Sequence, residues 1–149
     1  MKKNIKSWTI SLILITSLIL NLYQYKTIQK YQAQMDSIND YFLSELRFLS
    51  ENIKEFNGSV EDLVIFSSIT GSVYALSLAC KVNGFYKNHL LVSEAFTELN
   101  NMFWGAPKWL DKIKENRYEL GELLKKLLKN PNDKESQEKL FELIKKIEG

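Results

Sequence analysis

Ser7-Trp8-Thr9-Ile10-Ser11-Leu12-Ile13-Leu14-Ile15-Thr16-Ser17-Leu18-Ile19-Leu20-Asn21-Leu22-Tyr23-Gln24-Tyr25 is the stretch that decides how this chain is read. It holds no charged residue, and Leu and Ile dominate its centre. As a helix it rises about 28 Å at 1.5 Å per residue, close to the hydrocarbon thickness of a bilayer. Trp8 stands near one end and Tyr23 and Tyr25 at the other, where amphipathic rings suit the two membrane interfaces. A membrane anchor carried by Trp8, Leu12, Leu14, Leu18, Leu20 and Tyr23 is expected.

Lys2, Lys3 and Lys6 precede the apolar run, and positive charge stays on the cytoplasmic side. A cleaved signal peptide needs small residues at positions −3 and −1 of its cleavage site. The chain from Leu18 to Tyr25 offers no such pair. A lipoprotein signal needs a cysteine just past the apolar core, whereas Cys80 lies far downstream. The expected organisation is therefore a basic cytoplasmic tail at 1–6, a retained transmembrane signal anchor at 7–25, and an extracytoplasmic helical body at 26–149. The expected localisation is the cell membrane, single-pass.

Bulk composition narrows what the body does. Three of the 20 Lys and Arg precede the anchor, leaving 17 against 18 Asp and Glu, so the body is electrically balanced. A balanced body lacks the field that nucleic-acid binding requires. Lys is favoured over Arg, and Asn, Ile, Tyr and Phe are plentiful, which hints at AT-rich coding in a bacterium. One cysteine and one histidine exclude an intramolecular disulfide and leave no metal-ligand spacing. With two prolines in 149 residues, long uninterrupted helices are open to the chain.

The body reads as all-α, a transmembrane helix continuous with a long helix and then an antiparallel bundle of about four to five helices. In the long helix Ile28, Tyr31, Met35, Ile38, Phe42, Leu46, Leu49, Ile53 and Phe56 recur at a heptad-like spacing suited to a coiled coil or bundle seam. Tyr41, Leu43 and Phe48 widen that stripe, which favours a bundle over a two-stranded coil. Gly58 supplies a stop in the left-handed conformation, and Ser59 an N-cap for the next helix.

Residues Leu63 to Cys80 form a second uncharged run, in which Gly71, Ala75 and Ala79 recur every four residues. Two readings stay open. One is a central bundle helix, apolar all round because neighbours surround it. The other is a second transmembrane helix over 63–80, with Glu61 and Asp62 outside and Lys81 and Lys87 inside. Further helices are expected at about Asn88 to Trp104, from Pro107 onward, and after the Asn130-Pro131 turn. Their core stripes run through Val92, Ala95, Phe96, Leu99, Met102 and Phe103; through Trp109, Leu110, Ile113, Leu120, Leu123, Leu124, Leu127 and Leu128; and through Leu140, Phe141, Leu143, Ile144 and Ile147.

No catalytic set emerges. Cys80 and His89 lack a third orienting group, and the carboxylates interleave with lysines as on solvated helix faces. The expectation is no enzyme, no cofactor and no metal. Phe103, Trp104 and Trp109 flank a Gly-Ala-Pro corner and are candidate partner-binding residues, against the alternative that all three rings fill the bundle end. The leading function is a membrane-anchored interaction module of the bacterial cell envelope. Its partners would be the lipid bilayer and either another envelope protein or a further copy of itself. The alternative is a two-span protein of immunity, exclusion or lysis-related type, with a cytoplasmic C-terminal region. An extracytoplasmic small-ligand sensor is a third reading.

Overall fold

The computed structural model describes residues 2–82, 89–105 and 108–149, with side chains at 8–80, 91–105 and 108–149. Among these residues the chain is all-α, without a strand. Five helices follow one another: α1 Lys2–Asn52, α2 Val60–Val82, α3 His89–Trp104, α4 Leu110–Lys129 and α5 Lys134–Glu148. A 3-10 turn, Ile53–Glu55, closes α1. The chain divides into two compact units, Met1–Asp36 and Ser37–Gly149.

The first unit is helical throughout its described length. No Pro or Gly interrupts it, and Thr16 and Thr27 donate their hydroxyls back to the carbonyls of Leu12 and Tyr23 at 2.7 and 2.9 Å. Its apolar side chains lie exposed on every side of the helix.

The second unit is a bundle with one core. Phe42, Leu46, Leu49 and Ile53 turn one face of α1 and its 3-10 turn inward, and Phe56 completes it; all are buried. The α3 stripe expected from sequence is buried in full, whereas the α4 and α5 stripes are buried except for Trp109, Leu110, Leu128 and Phe141, which are half-buried against the core. Three rings, Phe56, Phe66 and Phe103, form one cluster. Phe56 meets Phe66 edge-on at 5.3 Å and Phe103 at 5.4 Å, while Phe66 and Phe103 stack at 5.6 Å. Such pairs add about 0.5–1.5 kcal/mol each beyond the area they bury.

The turn into α2 follows the expected chemistry. Gly58 has φ +83°, the region where a side chain is strained. The Asp62 amide donates to Ser59 Oγ at 3.1 Å, an N-cap bond, and the Asp62 carboxylate accepts from the Asn57 amide at 2.7 Å. The α4 start differs from expectation. The helix begins at Leu110 rather than at Pro107, which lies outside the described residues, and Trp109 occupies its N-cap position. The Trp109 indole N–H donates to the Glu148 carbonyl at 3.3 Å, so the ring closes the bundle end as part of the connection.

The expectation that neighbours surround α2 is corrected in one respect, because among the described residues they cover only one side of this helix. Phe66, Ile69, Thr70, Val73, Ser77 and Cys80 are buried, whereas Val64, Ile65, Ser68, Ser72, Ala75 and Leu78 are exposed. One side of the helix meets α1, the residue after the 3-10 turn and α3, through Cys80 against Asn39, Phe66 against Phe56, and Thr70 against Asn100. The small residues divide likewise. Gly71 lies half-buried beside Asn100, Ala79 is half-buried, and Ala75 is open to solvent.

Candidate functional site

Each unit offers a candidate surface, and the two are chemically unlike. In the first unit Trp8, Leu12, Leu14, Leu18, Leu20 and Tyr23 are all exposed. An exposed Leu and Ile surface of this extent, on a helix with its backbone bonds made internally, is what a lipid-facing segment requires. The region that includes it is long and apolar enough to cross a membrane, and so is Val60–Cys80, by length and composition. Ser17, Asn21 and Gln24 are exposed too, and among the described residues neither amide makes a side-chain hydrogen bond.

In the second unit the three candidate rings part company. Phe103 is 2% exposed and belongs to the core cluster, whereas its neighbour Trp104 is 73% exposed. One residue advances a helix by about 100°, enough to carry Trp104 off the core stripe that Phe103 completes. Trp109 is half-buried against Gly105, where a Cβ would sit 2.5 Å from the ring, and the Lys108 ammonium lies 4.8 Å from its centroid. Of the three, Trp104 alone presents most of its ring to solvent.

Cys80 is fully buried, and its thiol donates to Asn39 Oδ1 at 3.4 Å. Burial pushes its pKa up from 9.0 to about 11, which makes it a poor nucleophile. The side chain of His89 lies outside the described residues, and so does the Asn83-Gly84 turn. Among the described residues no group of His, Cys, Asp or Glu is placed to hold a metal ion. Phe42, Leu46, Val92, Phe96, Leu127 and Pro131 line a crevice with no room for a water-sized sphere.

Two supporting contacts were not visible in the sequence. Arg117 Nε donates to the Lys54 carbonyl at 2.9 Å, satisfying an acceptor that the end of α1 leaves open. Gly121 lets α4 approach the 3-10 turn so closely that a Cβ would lie 2.7 Å from Lys54 Cε and 3.2 Å from Ile53 Cγ2. A lone Gly inside an otherwise strong helical pattern was the available signal for the second. The Lys54 ammonium also pairs with Glu122, which holds the Glu122 carboxyl below its usual range. The outer faces of α4 and α5 carry further pairs, such as Lys145 with Glu148 at 2.8 Å. Nothing comparable is present on the outer arc of α2, which has no charge from Leu63 to Cys80.

Comparison of the chain with models of protein families, with curated proteins and with solved structures finds no match.

Proposed function

We propose that this protein is a membrane-anchored helical interaction module of the bacterial cell envelope. One observation carries the reading. An exposed, uncharged Leu and Ile helix belongs to one unit, while a second unit closes its own core without it. A helix of that composition has no reason to stay in water, where about 25 cal/mol is lost for each Å² of apolar surface left uncovered. Lys2, Lys3 and Lys6 direct the N-terminus to the cytoplasm and the bundle to the outside. The bundle then acts by contact, with Trp104 as its most exposed large ring.

The test is membrane extraction combined with protease shaving. The full chain, tagged at its C-terminus, should resist alkaline carbonate and lose its tag to protease added to intact spheroplasts. Release by carbonate overturns the anchor, and a tag protected until lysis overturns the outward placement.

A second reading has its own observation, the uncharged outer arc of α2 with Val64, Ile65, Ala75 and Leu78 exposed. It makes α2 a second span and the protein a factor of immunity, exclusion or lysis-related type acting in the bilayer. The same protected tag is its signature.

A further inference from the structure

The two amides of the anchor, Asn21 and Gln24, fall with Ser17 on one side of it, while Thr9, Ser11 and Thr16 lie off that side. A heptad frame with Ile28 and Met35 at position a places Leu14 and Asn21 at a, and Ile10, Ser17, Gln24 and Tyr31 at d. Every one of these side chains is exposed within the first unit. The flanking e and g positions between Ile10 and Met35 hold no charge, while Lys26, Lys30 and Asp36 fall at f, c and b, away from the seam. Four successive d–a pairs run from Ile10–Leu14 to Tyr31–Met35, and three to four heptads is the length that sustains a coiled coil. The same frame continues into the second unit, where Phe42 and Leu49 occupy a positions and are buried in the chain's own core. The open part of the seam therefore ends near Met35.

We propose that this seam pairs with a second copy of the same chain, as a parallel, in-register dimer through the anchor and the helix that follows it. This rests on the membrane reading above and names a partner for it. Two features select a second copy over a foreign helix. The Asn21 and Gln24 amides have no partner among the described residues, and each carries both donor and acceptor, so each is complementary to itself. Insertion in a common orientation brings two copies of Asn21 to the same depth in the bilayer, about 6 Å inside Tyr25 at 1.5 Å per residue. A foreign helix would have to supply matching amides at that depth, whereas an identical chain supplies them by construction. A lone Asn at an a position is also the device by which coiled coils fix register, since any slip leaves its amide against apolar neighbours.

The experiment uses the full chain in native membranes, with Cys80→Ala as background and one cysteine added at a time. Gln24→Cys, Ile28→Cys, Tyr31→Cys and Met35→Cys stand on the seam. Lys26→Cys, Gln29→Cys, Lys30→Cys and Ala33→Cys stand off it. Oxidation with copper phenanthroline should give bands at twice the chain's mass for the first set and little for the second. Adding Asn21→Leu should weaken dimerisation by about 3- to 30-fold, the range for a hydrogen bond between membrane helices. Equal yields around the helix, a band at another mass, or an unchanged dimer with Asn21→Leu would each overturn the proposal. Carbonate extraction of the same samples reads the membrane assignment separately. Retained protein without seam cross-links sinks the dimer alone, while released protein sinks the anchor and the proposal with it.

Discussion

Truncating Phe66 to Ala tests whether α2 belongs to the bundle, because its ring is the α2 member of the three-ring cluster. Phe66 is 4% exposed, while Ile65, one residue away, is 43% exposed. Removing a buried ring of this kind costs about 3–5 kcal/mol, transfer and cavity together. Ile65→Ala should fall within about 0.5 kcal/mol, as surface changes do. At roughly 4 °C per kcal/mol for a body of this size, the first lowers Tm by about 12–20 °C and the second by no more than about 2 °C. Thermal melts of the full chain in mild detergent, followed by circular dichroism at 222 nm, read the difference. A double-mutant cycle with Phe103→Ala sharpens the test, since the two rings stack at 5.6 Å across the α2–α3 contact. Their coupling should be about 0.5–1.5 kcal/mol. Equal effects of Phe66→Ala and Ile65→Ala, with zero coupling to Phe103, would refute the packing of α2 described here.

Gly121→Ala brings a Cβ within 2.9 Å of Lys54 Cγ and 3.2 Å of the buried Ile53 Cγ2, so overpacking of about 1–3 kcal/mol should exceed the gain of about 1 kcal/mol in helix propensity. A variant as stable as the parent in urea unfolding would show that the close approach of α4 is not tight. For Cys80 the sign follows from a folded pKa of about 11 against 9.0 unperturbed, because above pH 9 the unfolded thiol loses a proton that the folded one keeps. Its contribution is complete below pH 9 and fades as the pH rises toward 11, by about 3 kcal/mol in all. Unfolding at pH 8 and 10.5 should thus show a steeper alkaline loss for the parent than for Cys80→Ala, and parallel profiles would contradict this account of its burial. Trp109→Phe removes the hydrogen bond to the Glu148 carbonyl and should cost about 0.5–1.5 kcal/mol, whereas Trp104→Ala should stay within about 0.5 kcal/mol. The reverse order in chemical denaturation would exchange the structural and surface roles of the two rings.

What sequence reveals here depends on whether a segment has polar residues to set its phase. In α3, Glu94 and Asn101 separate the sides of the helix, and the stripe from Val92 to Phe103 is the buried one. That phase already places Trp104 off the core, although composition alone treats Phe103, Trp104 and Trp109 as one aromatic knot. In α2 the run from Leu63 to Cys80 contains only apolar, small and hydroxyl side chains, so no phase can be read and the buried side is chosen by neighbours far along the chain. The α1 period is legible from Ile28 to Phe56, yet a period identifies a seam without identifying what fills it. From Phe42 onward the filling comes from the same chain, while Ile28, Tyr31 and Met35 remain exposed. Gly121 and the bond from Arg117 to the Lys54 carbonyl join segments more than sixty residues apart; the lone Gly marks a close approach without naming its partner, and no local pattern encodes the Arg117 bond.

The bundle and the second span compete for one helix, and their costs can be set side by side. Packed as observed, α2 shares its buried side chiefly with α3, which bears Glu94 and Glu98, and touches α1 at Asn39, beside Asp40. Taking those neighbours into a bilayer would cost about 2.5–3.5 kcal/mol for each ionised residue near its centre. Crossing alone instead would forfeit the Phe66 and Phe103 packing. Remaining in the bundle leaves only the outer arc of Val64, Ile65, Ala75 and Leu78 uncovered. A charge on that arc separates the alternatives. Ser68 and Ala75 flank the middle of the run and are exposed, so Ser68→Lys with Ala75→Lys should leave bundle stability within about 1 kcal/mol. In a span the same pair would add about 5–7 kcal/mol to insertion, enough to expel the helix from the membrane. Protease shaving of a C-terminally tagged double variant should match the parent, with the tag outside in both. A tag protected in the parent and exposed in the variant would mean that α2 had been in the bilayer.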